Sequence, residues 1–384
     1  MTAKSRTRAA RKPPASPAGS SPDPVDPRLI AAKLEDWFKS AARDLPWRGS
    51  GRSPYAALVS EAMLQQTQVA RVIAPFVGFM RRFPTLESLA SADEESVLSA
   101  WRGLGYYRRA RNLHAAARRI IAEHCGAVPE DVASLRQLPG VGRYTAGSIA
   151  SLVFGRREPI VDGNVSRVLL RIHGADLDPG APATDAWTWE QARRLVDAAG
   201  DPAVLNEGLM ELGALVCVPA SPRCERCPLC EPCAARAAGS VERIPRPRRA
   251  PARTAVVHHV VIVRRRGRLL VERRPATGLW AGLWQPPTVE STRRIAPDRV
   301  AAALRIRLER IERVASFVHL TTHREVRVVV HRADLGATSA APDEETARPR
   351  RWIGRRELDS IAMSNAALRA IALAEARGDG ARGE

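Results

Sequence analysis

The sequence predicts a multi-domain protein: an all-α body followed by a smaller α+β domain. Three observations carry this. Apolar residues recur at helical spacing from Leu29 to about Ile172, as in Leu34, Trp37 and Phe38, and again in Leu58, Met63, Val69 and Val72. A Pro- and Arg-rich stretch, 239–255, then interrupts the chain. Beyond it come β-branched runs such as Val256–Val263 and Val326–Val330. The 384 residues allow two or three domains at roughly 100–200 residues each. A composition 45% hydrophobic and 26% charged gives each a core.

Residues 1–27 hold almost no large apolar side chains and are expected to be a disordered basic tail. No apolar stretch follows Lys4, Arg6, Arg8, Arg11 and Lys12, which argues against a secretory signal. No run of 18 apolar residues occurs, so no membrane span is expected. The body spans 28–236, with Pro84, Gly103, Gly105, Pro139 and Gly140 punctuating its helices and more helix from Asp185 to Leu215. A basic linker is expected over 237–255 and the second domain over 256–376, with 377–384 a disordered tail. Within that domain, strands flank Gly267, a helix is predicted from Asp298 to Ile311, and a last helix from Asn365 to Ala376. No internal repeat is visible.

Lys plus Arg is 60 against 41 Asp plus Glu, a formal charge of +19, which points to a polyanion: nucleic acid first, an anionic membrane second. The basic residues are nearly all arginine, as a GC-rich genome would also produce. Lys4, Lys12, Lys33 and Lys39 are the only lysines, so nothing after position 39 can form a Schiff base.

Five of the six cysteines crowd between Cys217 and Cys233, which in a cytosolic chain suggests a metal centre rather than disulfides. Cys217, Cys224, Cys227 and Cys233 have spacing x6, x2, x5. Cys224, Cys227, Cys230 and Cys233 form an unbroken x2, x2, x2 run, and spacing alone does not choose between the sets. Zinc sites more often use two separated C-x-x-C knuckles, so a [4Fe-4S] cluster is favoured. Isolated Cys125 is expected to be structural.

Leu138–Ala146 contains the turn Gly140-Val141-Gly142 before helix-forming residues. Such a turn exposes backbone N–H groups at a helix start and can hold a phosphate; it is otherwise an ordinary loop. In Val161-Asp162-Gly163-Asn164-Val165, Asp162 is either a helix cap or a carboxylate aimed into a cleft. Glu61, in Ser60–Gln68, is expected at a helix start, where an acid more often stabilises the helix than performs chemistry.

Taken together these stretches resemble the helix-hairpin-helix DNA glycosylase superfamily, and within it the MutY family of adenine glycosylases. Leu45-Pro46-Trp47-Arg48, Ser60–Gln68, Gly103–Tyr107, Leu138–Ala146, Val161–Val165, Asn206–Cys217 and the x6-x2-x5 cysteines follow the family order through the first 235 residues. The resemblance selects Cys217, Cys224, Cys227 and Cys233 as cluster ligands and leaves Cys230 spare. The segment Gly278–Pro286 resembles a Nudix-related domain, but 291–311 lacks the Glu-rich magnesium helix, so a binding domain rather than a hydrolase is implied. The family reads 8-oxoguanine with a Phe-Ser-His loop. Its equivalent here is Thr321-Thr322-His323, a departure, with Phe317-Val318-His319 a second register.

What the resemblance implies is hydrolysis of an adenine–deoxyribose bond in duplex DNA, opposite 8-oxoguanine or guanine, on a nucleotide extruded from the stack. Glu61 would protonate the base on its five-membered ring. Asp162 would stabilise the sugar cation, covalently or electrostatically. Tyr144 and Asn164 would support them. Arg48 and Glu207 would contact the adenine, Gln66 and Tyr106 would fill or wedge the stack, Thr322 and His323 would face the lesion, and Gly140, Val141 and Gly142 would hold the backbone. Endonuclease III has a lysine where this chain has Tyr144, so a monofunctional enzyme leaving an abasic site is implied. A monomer in the bacterial cytoplasm, at the nucleoid, is expected. The rivals are a thymine-mismatch glycosylase of the same superfamily, and a non-catalytic iron–sulfur DNA sensor, which has no use for Glu61 paired with Asp162.

Overall fold

The computed structural model describes residues 25–49, 52–247, 252–335 and 348–379. The two expected tails therefore fall largely outside the described residues. The body contains α1 (Pro27–Ala41), α2 (Pro54–Leu64), α3 (Val69–Arg82), α4 (Leu86–Ala90), α5 (Glu94–Ala100), α6 (Arg108–Glu123), α7 (Val132–Leu135) and α8 (Arg143–Leu152), then α9 (Gly163–Ile172), α10 (Pro182–Ala198), α11 (Pro202–Leu215) and α12 (Ala234–Ala237). Local chemistry sets many of these starts. Asp26, Ser53 and Asp201 cap α1, α2 and α11, each followed by Pro in the first turn, where its missing N–H costs nothing. Asp201-Pro202 also splits the expected 185–215 helix into α10 and α11.

The body has two cores. One gathers α2 to α8 around Leu58, Met63, Phe79, Trp101 and Ile149. The other packs α1, α9, α10 and α11 around Leu34, Leu169, Leu195 and Leu209. A cleft lies where they meet. The expected linker starts later than position 237, because Ile244 is buried against Leu170 and Ala235, and Arg246 pairs with Asp176 on the body.

The second domain comprises β1 (Thr254–Arg265), β2 (Arg268–Arg273), β3 (Trp284–Gln285), β4 (Thr288–Ser291), α13 (Pro297–Leu304), β5 (Leu308–Leu320), β6 (Arg324–Leu335), β7 (Arg350–Ile353), α14 (Arg355–Ser360) and α15 (Asn365–Asp379). The predicted helix 298–311 is shorter than expected. Arg305 takes a left-handed C-cap (φ 52°), and the chain turns into β5. The sheet runs β3-β2-β1-β6-β5, with β4 on β1 and β7 on β2. β1 and β6 pair in parallel from Thr254/Arg324 to Val263/Ala333, and β5 returns antiparallel on β6.

The domains share packing. Leu283 and Ala362 join the first core of the body. Tyr107 donates to the Met363 carbonyl at 2.8 Å, while Trp284 Nε1 and Arg351 both donate to Glu95. The β5–β6 turn is thereby brought over the loop that carries Tyr106. Among the described residues no helix is long and apolar enough to cross a membrane.

Candidate active site

The cleft is open to solvent, spans about 880 Å³ including its mouth, and is lined by Arg48, Glu61, Tyr144, Asp162, Asn164 and Glu207 among others. Glu61 lies in the last turn of α2, not at a helix start, because Ser53 and Pro54 set the helix beginning seven residues upstream. That turn points into the seam between the cores. The side chain is buried; Oε1 accepts from Ser148 Oγ at 2.7 Å, and Oε2 has no hydrogen-bond partner among the described residues. Burial raises the Glu61 pKa to about 7, offset in part by Ser148 and reinforced by the charge of Asp162. An acid so poised holds its proton near neutrality and has a free oxygen to deliver it.

Asp162 is both a cap and a cleft carboxylate. Oδ1 accepts from the Val165 N–H at 2.7 Å, opening α9, and Oδ2 accepts from Asn164 Nδ2 at 3.2 Å. Arg167 holds Asn164 in turn: Nη2 donates to Asn164 Oδ1 at 2.9 Å and to the Gly213 carbonyl at 2.8 Å. Gly213 is required here, since a Cβ would lie 2.8 Å from Asn164 Cβ. Tyr144 donates to Met210 Sδ at 3.4 Å, and burial with Glu61 and Asp162 nearby pushes its pKa well above the ordinary value, so the phenol stays neutral.

Opposite Glu61, arginines and glutamates interlock. Arg48 donates to Glu207 at 2.8 Å and to Glu211 at 3.0 Å, Arg52 donates to Glu207 at 2.9 Å, and Arg43 grips Glu211 at 2.6 and 2.8 Å. Burial acts to raise the Glu211 pKa, but hydrogen bonds and charge from Arg43 and Arg48 hold it below the ordinary range. Ser148, Glu211, Arg43 and Arg52 were not foreseen from sequence. The one available signal was that Glu207 and Glu211 stand four apart on α11 and so share a face.

Gln66 and Tyr106 stand exposed; Gln66 lies between Leu64 and Thr67 of the cleft wall. Tyr106 and Thr322 hydroxyls hydrogen-bond to each other across the domain boundary, so the Thr321–His323 turn, rather than Phe317–His319, meets the body loop. Thr321 is occupied in its own turn with Arg324. In the hairpin, Gly140 has φ +80° and packs against Asn112, where a Cβ would lie 2.7 Å away; Val141 is buried. Gly142 caps α8 without a side chain, leaving backbone N–H groups for an anion.

Cys217, Cys224, Cys227, Cys230 and Cys233 line one pocket of about 300 Å³ with Arg171 and Arg236. Burial raises the thiol pKa of Cys224, Cys227 and Cys233, and the charge of Cys217 raises each of them further. Arg171 donates to Cys217 Sγ at 3.4 Å. Among the described residues no three His, Cys, Asp or Glu side chains converge on a single-ion site. Five thiols on one pocket, with two guanidiniums beside them, suit a thiolate-held metal centre. Cys125, expected to be structural, is exposed at the end of α6.

Residues 59–194 match the family described as HhH-GPD superfamily base excision DNA repair protein, and 258–373 match the NUDIX domain. An adenine DNA glycosylase of Homo sapiens is 33% identical over 404 residues, covering 90% of this chain and 73% of that protein. One from Mycobacterium tuberculosis is 44% identical over 205 residues, covering 53% and 67%. A solved thermostable thymine-DNA glycosylase superposes with a TM-score of 0.50 at 28% identity, covering 55% of this chain and 97% of its own. With a buried acid and a helix-capping carboxylate in one cleft, and a relative similar along nine-tenths of this chain, the chain belongs to the adenine DNA glycosylase family, enzymes of base excision repair that act on N-glycosyl bonds.

Proposed function

We propose that the substrate is adenine opposite 8-oxoguanine or guanine in duplex DNA, that the strand is not cut, and that the product is an abasic site. The observation that carries this is Glu61: buried, with one oxygen unpartnered, in the same cleft as Asp162. Adenine leaves poorly as an anion. Glu61 delivers a proton to the base as the C1′–N bond breaks and its electron pair goes to the base. Asp162, its oxygens fixed by Val165 and Asn164, shields the developing sugar cation. Water then adds at C1′, and its proton restores Glu61. Arg48 and Glu207, now paired with each other, present a donor and an acceptor where a base edge would enter.

Tyr144 occupies the position where a Schiff-base lysine would be needed for strand cleavage, and its neutral phenol supports a monofunctional reaction. The Tyr106–Thr322 contact supports reading of the opposing base by Thr322 and His323. Backbone N–H groups at Gly140–Gly142 supply a phosphate grip.

Cys217, Cys224, Cys227 and Cys233 would hold a [4Fe-4S] cluster, with Cys230 spare. When bound, such a cluster cross-links the loop and brings one-electron redox capacity. Residues 217–233 also include Arg223 and Arg226, cations suited to a phosphate backbone. Cys230→Ser should keep the broad visible absorbance and Cys224→Ser lose it; the reverse pattern overturns the ligand choice.

A gel assay tests the central proposal. It compares duplexes with adenine opposite 8-oxoguanine, adenine opposite guanine, and thymine mispairs, with and without alkali. Adenine release with breaks only after alkali is expected. Breaks without alkali, or release of thymine instead, would overturn it.

A further inference from the structure

Gln66 (φ 56°) and Tyr106 (φ 47°) both occupy left-handed backbone that residues with a Cβ rarely adopt. Both side chains are exposed, and Gln66 lies between Leu64 and Thr67, which line the cleft. Strain of this kind persists only where the surroundings hold it. Here the surroundings of both turns converge on one group, the guanidinium of Arg109 in the first turn of α6.

Arg109 is buried. Nη1 donates to the carbonyls of Ala62 at 3.1 Å, Met63 at 2.7 Å and Gln65. Nη2 donates to Thr67 Oγ1 at 3.0 Å and to the carbonyls of Leu104 at 3.2 Å and Gly105 at 3.3 Å. One nitrogen thus serves the Gln66 turn, while the other spans that turn and the Tyr106 turn. The Trp101 and Tyr106 rings lie 5.6 and 5.3 Å from Cζ. A buried cation ordinarily sits beside a carboxylate. Arg109 has none among the described residues; its hydrogen-bond partners are neutral carbonyls and a hydroxyl. Two of the carbonyls, Ala62 and Met63, belong to the last turn of α2, where a helix has no donors of its own to offer. A lysine could not reproduce this, because its single ammonium cannot span two turns as a planar fork does.

We infer that Arg109 is a positioning residue for the extrusion step: its guanidinium clamps the Gln66 and Tyr106 turns into one rigid jaw, so that both side chains enter the base stack together and hold it open behind the departing nucleotide. This rests on the duplex-DNA reading above. The clamp acts on how often the adenine is out of the helix, not on proton delivery from Glu61.

Two readouts separate these effects. Arg109→Lys should lower single-turnover adenine release at least tenfold while the midpoint of its pH profile stays where the wild type has it. In a Glu61→Gln background, the emission rise of 2-aminopurine placed at the target position should fall to less than half. Combining Arg109→Lys with Tyr106→Ala should cost no more than the worse single change. Thr67→Val, which removes one partner of the fork and spares the cation, should show the same pattern at about threefold, and it decides the matter if Arg109→Lys does not fold. Full emission in either variant, or a pH midpoint that moves with the rate, overturns the inference while leaving the function intact. A wild-type enzyme that neither releases adenine nor raises emission overturns the functional reading, and the clamp with it.

Discussion

The cleft has two acidic walls that solve the same problem in opposite ways. Glu61 and Glu211 are both buried, yet Glu61 has a single neutral donor, Ser148, while Glu211 is held by Arg43 and Arg48. Desolvation therefore prevails at Glu61 and raises its pKa to about 7, whereas at Glu211 the arginines prevail and lower it. One wall carries a movable proton; the other carries fixed charge that holds Arg48 in place. In the C-terminal domain Glu272 is likewise buried among donors: Arg348, Arg350, Gln285 and the Thr288 N–H. A buried carboxylate is thus no sign of catalysis until its partners are counted.

The largest break of this contrast is Glu61→Gln. It keeps size and burial but has no proton to give, so adenine release should fall by about 10³-fold with duplex binding retained. Retention of more than about a tenth of the rate would remove Glu61 from the chemistry. Next is Glu211→Gln, which leaves two arginines facing an amide. A loss of about 4 kcal/mol is expected from denaturant midpoints at unchanged slope, and Arg48 loses its anchor. A cost below about 1 kcal/mol would make that wall no firmer than a surface ion pair.

The pH dependence follows from the sign of the Glu61 shift. Its folded pKa lies above its unfolded one, so folding favours the protonated acid. Its contribution to stability is full below the ordinary carboxylate pKa and is lost as pH rises toward about 7. Comparing wild type with Glu61→Gln at pH 4 and pH 8 should reveal a relative gain for the variant of about 3 kcal/mol at the higher pH. While Asp162 stays ionised, adenine release should be flat just below about 7 and fall about tenfold per pH unit above it. A rate that instead rises above neutrality would assign Glu61 the role of base. The smallest effect sharpens the same wall: Ser148 donates to Glu61 and lowers its pKa, so Ser148→Ala should move the midpoint upward, at about 1 kcal/mol in stability.

The family's motifs were legible because each is a local device. Asp162 next to Gly163 is a helix cap whatever else it does, and Gly140-Val141-Gly142 is a turn whose first glycine a Cβ would obstruct. The position of Glu61 was misjudged locally, since the seven residues from Ser53 place it in the last turn of α2. Burial, partners and interdomain contacts were not legible at all. Arg43 reaches Glu211 across 168 positions, Ser148 reaches Glu61 across 87, and Tyr106 meets Thr322 across 216.

By itself, then, the sequence determined the fold class, most of the helices of the body, and which acids, cysteines and turns are available for chemistry. Short-range propensity, capping and side-chain chemistry act within a few residues and survive without any fold. Only the tertiary structure decided which buried acid keeps a proton, which arginines are spent on pairing, and that one guanidinium holds two strained turns. Desolvation and hydrogen bonding depend on which groups are brought together, and a linear chain does not specify those neighbours until its cores have packed.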